Sequence, residues 1–190
     1  MRVAIVAGAL AVLLAAPPAR AEAPSPAMKA QLEAKGVEAY GLDAEPVTAF
    51  PGVVFVVRNI PDAGPFFIGA FVGGKWVGGK SSASWPAVST AAMRMRGWRR
   101  LHARRREALA LKWVTQAQPP GATAQTLPSS PDAGEADARI PSVRSVFAEV
   151  VVTAWITRTH ETIAGPRSEY PQGPTRFIFS RDGTVRVEGP

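Results

Sequence analysis

The sequence predicts an α+β domain, a single antiparallel sheet of about five or six strands with one long helix packed on a face. Three observations lead there. Runs of β-branched and aromatic residues fall into two groups, residues 53–77 and 143–187. A stretch of helical periodicity separates them. Asp182-Gly183 joins the last two short apolar runs with the dipeptide that favours a tight hairpin. A helix set between antiparallel strand runs is the pattern of this class.

The chain opens on a leader. Arg2, the apolar stretch Val3 to Ala16 and the small-residue site Ala19-Arg20-Ala21 supply the three parts of a secretory signal peptide, so residues 1–21 are expected to be removed before Glu22. The apolar stretch is 14 residues, short of the roughly 20 that span a bilayer, and Pro17-Pro18 stops a helix from extending it. The best later run, Val146 to Ile156, carries Glu149 and Thr153, so no transmembrane segment is expected in the mature chain. The expected location is the periplasm or the extracellular space, with residues 22–190 forming one soluble α+β domain.

Met28 to Lys35 reads as a short helix stopped by Gly36. Val53 to Arg58 and Phe66 to Val72 read as an antiparallel pair around the turn-rich residues 59–65, and Gly73-Gly74 reverses the chain into a short strand at Lys75-Trp76-Val77. Pro86 suits the first turn of a helix, with Ser84 or Trp85 near its cap. From there Val88, Ala92, Met95, Trp98, His102, Leu109 and Trp113 recur on one side at the helical period, with Gly97 marking a kink or break. Residues 117–142, rich in Pro, Ala and Ser, read as a flexible loop. One long strand is expected next, with Val146, Ala148, Val150, Val152, Ala154 and Ile156 facing the core. Its second face carries Phe147, Glu149, Val151, Thr153, Trp155 and Thr157.

The chemistry is read largely by exclusion. The chain has no cysteine, which removes disulfides, thiolate metal sites and a cysteine nucleophile. Its only asparagine, Asn59, precedes Ile60-Pro61 and forms no glycosylation sequon. Residues 74–81, GKWVGGKS, match the phosphate-binding loop pattern letter for letter, with Gly74, Gly79, Lys80 and Ser81 at the defining positions. The match reads as accidental, because the helix that should run on from Lys80-Ser81 would meet Pro86. The only histidines, His102 and His160, lack neighbours at metal-ligand spacing, so no metal or cofactor is expected. No nucleophile motif is present, and the acids do not pair into an obvious catalytic set.

Charge gives the one positive signal. Removing Arg2 and Arg20 takes the formal charge from +7 to +5, and eight basic residues against the single acid Glu107 lie between Arg94 and Lys112. The leading expectation is a non-catalytic binding or accessory module with a basic helix face. Its Arg96, Arg100, Arg104 and Arg105 would contact anionic polymers or a membrane surface weakly and without sequence preference. Arg99 and Arg106, nearer the apolar stripe, are expected to lay their stems over the core. The alternative is a small-ligand-binding or hydrolytic enzyme with a cleft near Glu149, Thr153, Trp155 and His160.

Overall fold

A computed structural model describes residues 21–60, 64–79, 84–120, 122–125, 142–146, 148–162, 165–169 and 173–189. The expected leader, Ala21 apart, lies outside the described residues, as do Lys80, Ser81, Phe147 and residues 126–141 of the expected loop.

Helix α1, Pro26–Ala34, begins where the Ser25 hydroxyl accepts from the Met28 N–H at 3.4 Å, with proline in the first turn. It is followed by four strands, β1 (Leu42–Pro46), β2 (Val53–Ile60), β3 (Gly64–Val72) and β4 (Lys75–Gly78), paired in chain order as an antiparallel meander. Both faces of this sheet are covered, which is why β2 is apolar from Val53 to Val57 and does not alternate. On one face Val56, Ile68 and Phe71 pack with Leu32 and Val37 from the α1 side. On the other, Val53, Phe55, Ala70 and Val72 enter the main core.

The later strands do not join that sheet, and each of its edges carries a contact from the N-terminal segment. At β4, Gln31 of α1 donates its side-chain N–H to the Gly74 carbonyl at 2.9 Å and accepts from the Trp76 N–H at 3.3 Å. At β1, Glu22 and Ala44 exchange two backbone hydrogen bonds. Capping exposed strand edges removes the template on which further strands would add.

Two helices follow, α2 (Trp85–Met95) and α3 (Ala103–Gln116), with a 3-10 turn at Trp98–Arg100 between them. The one long helix expected from the periodicity is therefore corrected to two. Gly97 adopts φ 68°, the left-handed conformation that ends helices, and Leu101 and His102 are extended. The Ser84 hydroxyl caps α2 by accepting from the Ala87 N–H.

The second sheet is built on one long strand, β7 (Glu149–Thr162). Around it lie β5 (Ala122–Gln125), β6 (Ser142–Val146), β8 (Gly165–Glu169), β9 (Thr175–Phe179) and β10 (Val185–Glu188). A four-stranded path β10-β9-β7-β5 runs through it, and β6 and β8 also pair with β7. The first half of β7 lies between β9 and β6, and its second half pairs with β5 and β8. The expected single sheet with a long helix on one face is thus replaced by two separate antiparallel sheets and three short helices. The expected long strand is likewise a hairpin, with Val146 opposite Glu149 and a turn at residue 148. Four residues of the expected loop, Ala122–Gln125, form β5.

Val150, Val152 and Ala154 face the main core as expected, and Ile156 packs against it. That core is shared by α2, α3 and both sheets, and three tryptophans link its parts. Trp85 donates its indole N–H to the Ala117 carbonyl at 2.9 Å, and Trp113 donates to the Ser89 hydroxyl at 2.8 Å. Trp98 donates to the Ser180 carbonyl at 2.8 Å. Between β9 and β10, Ser180 and Thr184 close a short turn in which Gly183 has φ 85°, so Asp182-Gly183 does form the expected reversal.

Candidate functional site

The basic segment does not lie along one helix face. It wraps the end of α2, the 3-10 turn and the start of α3, and this division separates its cations by role. Arg96 donates to the Pro51 carbonyl at 2.9 Å and sits 5.8 Å from the Phe50 ring, whose surroundings also include the Lys112 ammonium at 5.4 Å. Arg106 stacks 5.8 Å from the Trp98 ring and donates to the carbonyls of Trp98 at 3.1 Å and Arg99 at 3.0 Å. These three cations hold aromatic groups and backbone carbonyls in place, and Arg106 covers the core as its place near the stripe suggested.

Arg94, Arg99 and Arg100 behave differently. Together with Met95, Gly97 and Trp98 they line an open concavity of about 630 Å³ at the junction of α2 and α3. All three arginines are exposed, and none forms an ion pair with the described residues. Arg99 spends only its Nε–H, on the Asp182 carbonyl at 3.3 Å. Arg104 and Arg105 are exposed in the first turn of α3 and do not line the concavity. No acid accompanies them there, although cations at a helix N-terminus are electrostatically unfavourable.

One lining residue of the concavity is fixed. Trp98 is 1% exposed, ties its indole to Ser180 and lies 5.5 Å from the Phe179 ring. Gly183 packs against the Trp98 side chain. In the adjoining turn, whose Asp182 carbonyl accepts from Arg99, the Asp182 carboxylate accepts from the Thr184 N–H at 3.0 Å and the Thr184 hydroxyl at 2.7 Å. The backbone N–H and hydroxyl of Thr184 hold the Asp182 carboxyl below the usual carboxylate range, and the nearby positive charges of Arg99 and Arg94 act in the same direction.

Of the residues expected to form a cleft on β7, Glu149 is engaged at the sheet edge. The Glu149 carboxylate accepts from the Ser180 hydroxyl at 3.1 Å and from Arg186 at 3.0 Å. Arg186 and Arg176 both pair with Glu188, so this edge of the sheet is a surface ion-pair ladder. Thr153 and Trp155 are half-buried, while Val151 and Thr157 on the same expected face are 3% and 4% exposed. His160 belongs to β7, in its second half, eleven positions along the strand from Glu149, and its side chain lies outside the described residues. Among the described residues no group of three or more His, Asp or Glu side chains is placed to hold a metal ion.

The phosphate-loop match falls largely on strand. Residues 75–78 of it form β4, whose backbone is committed to β3 and to Gln31, and Gly74 takes the preceding turn at φ 76°. Gly79 follows the strand, and Lys80 and Ser81 lie outside the described residues.

Of the four arginines singled out in the sequence, Arg100 lines the concavity beside Arg94 and Arg99, whereas Arg96, Arg104 and Arg105 do not. Reading Gly97 as a left-handed helix stop would have gathered Arg94, Arg99 and Arg100 around one turn. No family model, curated protein or solved structure matches the chain.

Proposed function

We propose that the chain is an exported, non-catalytic binding or accessory module that holds anionic groups of a polymer or a membrane surface at the Arg94–Arg99–Arg100 concavity. The observation that carries this reading is the division of labour among neighbouring cations. Arg96, Arg106 and Lys112 are engaged in packing, whereas Arg94, Arg99 and Arg100 line one concavity without a carboxylate partner among the described residues. Three like charges held together repel one another, and an anion that neutralises them relieves that repulsion while forming forked guanidinium hydrogen bonds. A basic patch on an otherwise slightly acidic mature chain also steers anionic partners toward one face.

Export rests on the leader's pattern, and N-terminal sequencing of the secreted protein is expected to start at or near Glu22. The binding claim is tested by sedimentation with phosphatidylglycerol vesicles. Binding at low salt should fall steeply as salt is raised, and the triple variant Arg94→Gln, Arg99→Gln, Arg100→Gln should abolish it. The variant Arg104→Gln, Arg105→Gln should retain most of it. Intact binding by the triple variant would refute the assignment.

A further inference from the structure

The charge balance of this concavity selects among anions, and the following rests on the anion-binding reading above. We infer that the concavity is a site for a phosphomonoester or a free phosphate group, in preference to phosphodiesters and sulfate esters.

Three guanidinium groups line the concavity, and the carboxylate of Asp182, outside the lining, is engaged by the N–H and hydroxyl of Thr184. The flanking Arg96 is engaged with Pro51 and Phe50, and Arg181 is not among the lining residues. The lining charges total +3, of which a terminal phosphate carrying about −1.5 to −2 at neutral pH neutralises half or more. A phosphodiester or a sulfate ester brings a single charge and leaves the arginines under-neutralised. Oxygen count points the same way. A terminal phosphate offers three free oxygens to guanidinium forks, and a diester offers two.

One donor of the site is held in advance. Trp98 is locked to Ser180, Phe179 and Arg106, and Arg99 is tethered to the Asp182 carbonyl through Nε, leaving its two terminal nitrogens free of partners among the described residues. A tethered donor loses less freedom when the ligand arrives. A volume of about 630 Å³ accommodates a small phosphorylated group or a lipid headgroup, whereas an extended polymer would need a groove.

The experiment compares phenyl phosphate with dimethyl phosphate by calorimetric titration at low salt. It then compares phosphatidic acid with phosphatidylglycerol vesicles at matched surface charge. The full-length mature protein is used beside the double variant Arg94→Gln, Arg100→Gln, whose side chains make no hydrogen bond within the described residues. Phenyl phosphate should bind about tenfold or more tightly than dimethyl phosphate, and the double variant should lose that preference. A matching preference for phosphatidic acid identifies a lipid headgroup as the source of the phosphate. Preference in solution alone identifies a free phosphorylated molecule, and both results support the inference. Equal affinity for mono- and diester, or tighter binding of dextran sulfate than of any phosphate, overturns it. If in that case vesicle binding still depends on Arg94, Arg99 and Arg100, the broader anion-binding reading stands. Absence of all anion binding at low salt overturns both.

Discussion

The indole N–H of Trp98 donates to the backbone carbonyl of Ser180 at 2.8 Å, tying the turn that carries the free arginines to the β9–β10 hairpin. Trp98→Phe removes the donor and part of the buried indole, while the Ser180 carbonyl keeps its bond from the Gly183 N–H. The expected cost is about 1–3 kcal/mol from the lost hydrogen bond and the space left behind, read as a lower urea midpoint at unchanged m-value. Anion affinity should fall as well, since Trp98 lines the concavity together with Arg94, Arg99 and Arg100. A destabilised variant with unaltered affinity would show that the hairpin does not position the arginines.

Ser89 has no exposed surface and works in two directions, donating to the Trp85 carbonyl at 2.7 Å and accepting from the Trp113 indole at 2.8 Å. Ser89→Ala leaves a buried indole N–H unpaired, for an expected loss of about 1–3 kcal/mol. Replacing Trp113 by Phe in the same chain removes the orphaned donor. The two changes together should cost less than their sum, and strict additivity in a double-mutant cycle would contradict the pairing.

Gly69 lies beneath Trp76. A Cβ at this position would sit 2.5 Å from the Trp76 ring and 2.7 Å from the Val77 carbonyl oxygen, in a sheet face packed against α1. Gly69→Ala should therefore destabilise by about 1–3 kcal/mol through overpacking. Combining it with Trp76→Leu should recover part of the loss. Gly41, with open space around its Cβ position but φ 67°, should show only the modest cost of backbone strain on substitution by Ala.

Glu45 is the carboxylate whose ionisation the fold resists. Partial burial pushes its pKa above the ordinary 4.5, and the neighbouring Asp43 charge adds to the rise. Because the folded state holds this proton more tightly than the unfolded chain, stability declines as pH rises from the ordinary value through the raised one. Glu45→Gln should melt higher than the parent at pH 7, and the difference should close below about pH 4.5. Asp182 has the opposite sign. Its lowered pKa contributes stability above the unfolded value of about 3.9, and that contribution disappears as pH falls through the folded value. Equal melting temperatures of parent and Glu45→Gln at pH 7 would contradict the burial argument.

The sequence made local structure legible and left its assembly hidden. The reversal at Asp182-Gly183, the strands around Gly73-Gly74 and the cap at Ser84 could be read because a few adjacent residues determine each of them. Strand β1, with the composition Leu-Asp-Ala-Glu-Pro, carries no strand signal of its own and is extended because it pairs with β2. The edge of β4 is met by Gln31 of α1, a contact between residues far apart in the chain. At the site, the density of arginine was visible, but the helical phase was carried through Gly97. Correct phase on both sides of that residue was needed to see that Arg94, Arg99 and Arg100 meet. Which cations are engaged in packing followed only from where Phe50 and Trp98 sit.

The central claim is that anions bind at this turn and not diffusely over the basic segment. It is tested most directly by following arginine Nε–Hε, Gly97 amide and Trp98 indole resonances during titration of the mature protein with phenyl phosphate. Saturable shifts confined to Arg94, Gly97, Trp98, Arg99 and Arg100, with Arg104 and Arg105 unmoved, are the expected result. Shifts centred on Arg104 and Arg105, or linear drift shared by all the arginines, would contradict a site at the α2–α3 junction.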